Sequence, residues 1–188
     1  MPQKSTCNWP SDDHLMIRYH DEEWGVPVHD DRKIFEFFLL DAFQAGLSWR
    51  TVLYKREHFR KAFDNFDVKK IAAYGEKEIV RLLSDEGIIR NKAKINATIS
   101  NAKCFLAVQK EFGNFDKYIW QFTGGNPIKN KLKTLSEMAT SSRESDEMSR
   151  DLKSRGFKFV GTTICYSFMQ AAGMVNDHLV HCFRYKTL

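Results

Sequence analysis

Apolar residues that return every three or four positions, along nearly the whole chain, confine this sequence to a helical fold. Ile34, Phe35, Phe38, Leu39 and Ala42 share one helix face, and Ile79, Leu82 and Leu83 repeat the pattern. After Gly87, the positions Ile95, Ile99, Ala102, Leu106 and Lys110 trace a long helix. Val52 and Leu53, followed by Phe59 and Phe63, suggest a helical pair across a short break. Strict alternation is rare, so the fold class is all-α. With 188 residues, 43% of them hydrophobic, the chain has the material for one domain (residues 1–188) of two helical lobes sharing a core.

No apolar run approaches the roughly 20 residues of a membrane span. Met1–Cys7 carries no secretion signal, so a cytoplasmic protein with no membrane partner is expected. Its four cysteines form no CxxC pair, and in a reducing compartment they are buried thiols, nucleophiles or metal ligands, not a disulfide framework. Cys104 and Cys165 read as small core residues. A net charge of +5 is compatible with a nucleic-acid partner without demonstrating one. Most of the 15 Phe must be core, and the 4 Trp become informative only by position.

Three local features bear on function. Phe122 to Ser145, with Gly124-Gly125-Asn126-Pro127, reads as a loop that ends on Ser145 as N-cap of a helix from Asp146 to Arg155. Gly156 suits the left-handed position that ends this helix, and Gly161 stands just before a second helix from Thr162 to Ala172. That is a helix-hairpin-helix layout over about residues 146–172. The free N–H groups and positive dipole end at Gly161 and Thr162 can hold a phosphate, with Lys153, Arg155 and Lys158 nearby. By itself, a glycine-containing αα-hairpin is more often a structural turn.

His178 and Cys182 lie four residues apart, so on a helical turn they would project from one face. Cys7 and His20 could complete a closed Cys2His2 shell, the structural kind of zinc site. His14 and His181 are rival ligands by proximity, and buried thiols with unrelated histidines are the plain alternative. Asp41 sits in the run Leu39-Leu40-Asp41-Ala42-Phe43, where a carboxylate is costly unless paired or used. A surface or ion-paired acid is the common explanation.

Several longer motifs make the reading specific. They are Tyr19-His-Asp-Glu-Glu-Trp-Gly-Val-Pro27, Gln44-Ala-Gly-Leu-Ser-Trp49 and Gly87-Ile-Ile-Arg-Asn-Lys-Ala-Lys-Ile95. Near the C-terminus come Arg155-Gly-Phe-Lys-Phe-Val-Gly-Thr-Thr-Ile-Cys-Tyr-Ser-Phe-Met-Gln-Ala-Ala-Gly173 and Val175-Asn-Asp-His178. From Cys7 to Cys182, in order, these resemble the bacterial 3-methyladenine DNA glycosylase I family. The resemblance implies a helix-hairpin-helix glycosylase fold, with one structural zinc held by Cys7, His20, His178 and Cys182 to join the two ends. It implies monofunctional hydrolysis of the N-glycosidic bond of 3-methyladenine in double-stranded DNA, by a monomeric repair enzyme. It also implies an aromatic base pocket of Trp9, Tyr19, Trp24 and Trp49, and DNA contacts from Gly46, Leu47, Lys158, Gly161 and Thr162. Trp120 falls outside these motifs and reads as core.

This sequence departs from the family at two positions. Asp41, expected to recognise the base as an ionised carboxylate and carry catalysis, stands where the family has glutamate, and Met16 replaces a common tyrosine. Where many helix-hairpin-helix glycosylases place a catalytic aspartate, this chain has Asn176 with Asp177 beside it. Asp177 is expected to cap the turn carrying His178, with a catalytic role as the alternative. Two other functions fit less well. A zinc-stabilised protein binding alkylated DNA with weak catalysis would shift DNA without releasing a base. Among related enzymes with other substrates, a broad alkylpurine glycosylase remains a possible alternative, but a nuclease would need an open metal site that a saturated Cys/His shell does not offer.

Overall fold

A computed structural model describes residues 5–188; of the Met1–Cys7 stretch read above, the first four residues lie outside it. Helices α1 (His14–Glu22), α2 (Asp31–Gln44), α3 (Trp49–Ala62), α4 (Val68–Ala72) and α5 (Glu76–Ser84) come first. The long α6 (Lys92–Phe112) and short α7 (Phe115–Trp120) follow. After a loop, α8 (Arg143–Ser154), α9 (Thr162–Ala171) and α10 (Phe183–Thr187) complete the chain. Side chains set many of the starts: Asp13, Asp30, Ser48, Asp67, Asn91, Asn114 and Ser142 each accept a first-turn backbone N–H. The fold is all-α but for one short parallel ladder, β1 (Ile128–Lys129) on β2 (Val175–Asn176), which ties the long loop to the C-terminal segment.

Helix α2 is the axis of the molecule. Every residue from Ile34 to Phe43 is buried, so the single apolar face expected from its spacing is in fact a helix enclosed on all sides. It packs on α3, α6, α7 and α9. Phe38 meets Phe115, Phe157 and Phe168 edge-on at 6.3, 5.4 and 5.7 Å, while Phe105 and Phe115 stack at 3.8 Å.

Two boundaries differ from the sequence reading. Val52 to Phe63 is no broken pair: α3 runs unbroken to Ala62, with Phe59 stacked on Phe63 and met edge-on by Phe43. Helix α8 starts three residues early, capped by Ser142, because the Ser145 hydroxyl turns back to the Ser142 carbonyl at 2.9 Å. Trp120 is buried, stacked on His29 and donating to the Val28 carbonyl, as a core residue should be. Gly173 has φ +70°, and a Cβ there would overlap the Val26–Pro27 backbone, so only glycine lets the segment after α1 cross the end of α9.

Candidate functional site

A cavity of about 270 Å³ opens where α1, α2, α9 and the long loop converge. Trp9, Met16, Tyr19, Trp24 and Trp49 form its aromatic and apolar walls, joined by Leu135 and Met138 from the loop. Tyr19 and Trp49 lie 5.0 Å apart, and Trp24 meets Trp9 edge-on at 5.2 Å. The volume is close to the lower limit of roughly 300–1,000 Å³ for small-ligand pockets, the size for one heterocycle.

The polar lining comes from Asp41 and Gln44 on α2, and Ser167 and Gln170 on α9. Helix α2 buries two carboxylates, and they are treated oppositely. Glu36 is bonded by Arg56 at 2.7 Å, Arg60 at 2.8 Å and Lys33 at 3.2 Å. Asp41 is 2% exposed and its Oδ2 has no hydrogen-bond partner among the described residues. Burial alone pushes its carboxyl well above the usual range, a pressure toward the neutral acid that a cation in the cavity would oppose. The indole N–H groups of Trp9 and Trp49 are buried and unpaired as well. Three orphaned polar atoms around one cavity are costly unless a ligand with its own donors and acceptors fills it.

Asp177 does not cap the His178 turn; the Asn176 side chain does, accepting the His178 N–H at 3.1 Å. Asp177 is 1% exposed and lies behind the cavity wall, not in it. Its carboxylate accepts from Asn130 Nδ2 (2.7 Å), Tyr166 OH (2.8 Å) and Gln170 Nε2 (2.8 Å). So engaged, it is not among the residues that line the cavity.

Behind the aromatic wall, ligand atoms of Cys7, His20, His178 and Cys182 all lie within 4.8 Å of one another, fully buried. The nitrogen pair is 3.2 Å apart, and sulfur–nitrogen separations are 3.6 to 3.7 Å. These match the edges of a tetrahedron with metal–ligand distances of about 2.0–2.3 Å. The outward nitrogens are held too: His20 Nδ1 by Asp21 at 2.6 Å and His178 Nε2 by the Trp24 carbonyl at 3.0 Å. That fixes the tautomers that aim the other nitrogens inward. Without an ion, burial pushes the Cys7 thiol up to about 12 and His178 down to about 4; a divalent cation would favour the thiolate. The donor set therefore fits a metal. The His178–Cys182 segment is not the helical turn expected but an irregular stretch ending in a tight turn, closed by Cys182 N–H on the Leu179 carbonyl at 2.7 Å. His14 and His181 are exposed and outside the group.

The other sequence-predicted residues sit on the same side of the chain's logic but outside the cavity. Leu47 is 42% exposed beside Gly46, in a tight turn closed by Leu47 N–H on the Gln44 carbonyl. Buried Lys94 holds that turn by donating to the carbonyls of Phe43 (2.8 Å) and Ala45 (2.6 Å) at the end of α2. In the α8–α9 hairpin, Gly156 has φ +91°, Gly161 is the N-cap of α9, and Lys158 is exposed. Asn101 clamps the hairpin through the N–H and carbonyl of Lys158, and Thr162 bonds Ser145 at 2.8 Å. Arg155 is consumed by Glu111 and Asp151, so it is not free for a phosphate. Sequence reasoning missed Gln44, Leu135, Met138, Ser167 and Gln170. Gln44 is one helical turn beyond Asp41 and could have been found by that spacing; the rest carry no local signal.

Residues 9–185 match the profile of the family described as Methyladenine glycosylase. The DNA-3-methyladenine glycosylase 1 of Escherichia coli (strain K12) is 52% identical over 95% of this chain and 96% of its own. A solved structure of 3-methyladenine DNA glycosylase I, also 52% identical, superposes with a TM-score of 0.92 over 95% of this chain and 98% of its own. A variant of a 3-methyladenine DNA glycosylase I, solved in complex with 3-methyladenine, is 32% identical with a TM-score of 0.92, covering 95% and 96% of the two chains.

Proposed function

This chain belongs to the methyladenine glycosylase family, and from that membership we propose that it releases 3-methyladenine from alkylated double-stranded DNA as a monomeric, monofunctional repair glycosylase. The observation that carries this reading is the aromatic cavity holding three unpaired polar atoms, Asp41 Oδ2 and the Trp9 and Trp49 indole N–H groups.

A base inside the duplex must be extruded before it can be cut. The rings of Trp9, Tyr19, Trp24 and Trp49 offer it flat surfaces, and a cationic alkylated purine adds a cation–π attraction. Asp41 then changes character. Burial favours its neutral acid, but a cation beside it favours the carboxylate, because an opposite charge lowers the pKa again. As a carboxylate it accepts from the amino group at position 6 of adenine; against the carbonyl of guanine, acceptor meets acceptor. The mismatch is worth about 1–3 kcal/mol, or roughly 5- to 150-fold. Water attacks the sugar carbon, the N-glycosidic bond breaks with its electron pair passing to the base, and an abasic site remains. The positive charge on the base already makes it a good leaving group. Among the described residues no lysine lines the cavity to form a Schiff base, and hydrolysis by water needs none.

In this reading Leu47, beside Gly46, fills the gap left by the base, and the α9 N-terminus at Gly161 and Thr162 holds a phosphate with Lys158 in a helix-hairpin-helix grip. Cys7, His20, His178 and Cys182 hold one zinc ion, which supplies a fixed structural joint and no open position for chemistry. Mass spectrometry of bases freed from methylated duplex DNA tests the proposal. Abundant 3-methyladenine with little 7-methylguanine is expected, and Asp41→Asn should lower that release at least tenfold. Absence of 3-methyladenine release by the parent protein would refute the function, and an undiminished Asp41→Asn would move the role to another residue.

A further inference from the structure

We propose that Gln170 is a second base-reading group, presenting its amide oxygen to the cavity as a fixed hydrogen-bond acceptor. The inference rests on the function proposed above. Gln170 lines the cavity, while the residue that grips its amide does not. Its Nε2 donates to Asp177 Oδ2 at 2.8 Å, which turns the NH2 half away from the cavity wall. No donor among the described residues reaches Oε1, so that oxygen is the side chain's free polar atom.

The grip is built, not incidental. Asp177 is buried and accepts from three donors, so its acceptor polarity cannot be reversed by a rotation. An amide on its own can flip and offer either end, but this one cannot without facing its oxygen to a carboxylate. The backbone is fixed as well, since the Gln170 carbonyl accepts the Gly25 N–H at 3.0 Å. The cavity thereby holds two acceptors on different helices, Asp41 on α2 and Gln170 on α9. An exocyclic amino group carries two N–H donors and can satisfy both; a carbonyl can satisfy neither. A cationic base gains further from a carbonyl dipole whose negative end points at it. In this scheme Asp177 is a positioning residue, which accounts for a buried carboxylate that touches no substrate.

The test measures kcat/KM for release of 3-methyladenine and of 7-methylguanine by the parent protein, Gln170→Leu and Gln170→Met, with Tm recorded for each. Loss of the acceptor should lower 3-methyladenine release roughly tenfold, the worth of one hydrogen bond to a charged partner. Release of 7-methylguanine should hold or rise, so the ratio of the two narrows. A residue that merely fills the wall would lower both together, and that outcome, or no change in either variant, overturns the assignment. Methionine keeps the side-chain length, so a failure specific to leucine packing is separated from loss of the amide. A parent protein without 3-methyladenine release would instead strike the proposed function itself.

Discussion

Asp41 and Glu36 share a helix and a level of burial, yet only one is neutralised by cations, and the difference has a measurable consequence. The native carboxyl of Asp41 titrates above the ordinary aspartate value of 3.8, whereas the unfolded chain ionises near that value. A group raised in this way gives stability that is present below the unfolded value and lost as pH rises toward the folded one. Asparagine has no proton to lose. Asp41→Asn should therefore match the parent below about pH 4 and become the more stable protein as pH rises. Thermal melts from pH 4 to 8 check this, and a flat difference would mean that burial does not raise the Asp41 carboxyl. The same substitution that removes activity is thus expected to strengthen the fold, the mark of a strained functional group.

At the scale of elements, the α8–α9 hairpin shows how a fold prepares a helix end for a ligand. Gly161 is the N-cap of α9 and makes no side-chain cap, and a Cβ there would meet nothing within 4 Å. Aspartate fits that space and is among the best N-caps. Gly161→Asp should accordingly leave Tm unchanged or raise it, and leave binding of free 3-methyladenine intact. Its carboxylate would repel the phosphate proposed to sit at this helix end, weakening duplex binding about tenfold or more. Titration of DNA and of free base decides the matter: loss of both together would show that the hairpin supports the cavity and does not grip DNA. Lys94 plays a comparable part at the other end of α2, where its ammonium meets the carbonyls at the negative helix end and fixes the turn that carries Leu47.

Across the whole molecule, the two chain ends are joined at one place. The Cys7, His20, His178 and Cys182 group links the N-terminal segment to the C-terminal turn, and Phe183 N–H adds a bond to the Ser5 carbonyl at 2.9 Å. The joint backs the cavity directly, since His178 bonds the Trp24 carbonyl and His20 lies 5.4 Å from Trp9. Cys182→Ser should remove the metal and lower Tm by roughly 10 °C or more, an effect of several kcal/mol, while duplex lesions bound at low temperature are still cut. Elemental analysis of the parent should give one zinc per chain. Protein purified without chelators and free of zinc would end the assignment.

The helices were determined locally: i, i+3 and i+4 spacing and side chains such as Asp30, Ser48 and Asn91 act within a turn, so a linear reading finds them. Resemblance to long motifs brought the four clustered Cys/His residues and the aromatic walls within reach of the sequence too. Tertiary structure alone decided what surrounds each group. Only packing enclosed α2 on every side, buried Asp41 with no protein partner for its Oδ2 among the described residues, and consumed Arg155 in ion pairs. It also set Asp177 behind Gln170 and brought Leu135 and Met138 to a cavity built by α1 and α2. Desolvation and hydrogen-bond satisfaction depend on neighbours a hundred or so residues away in the chain, and no local spacing records them.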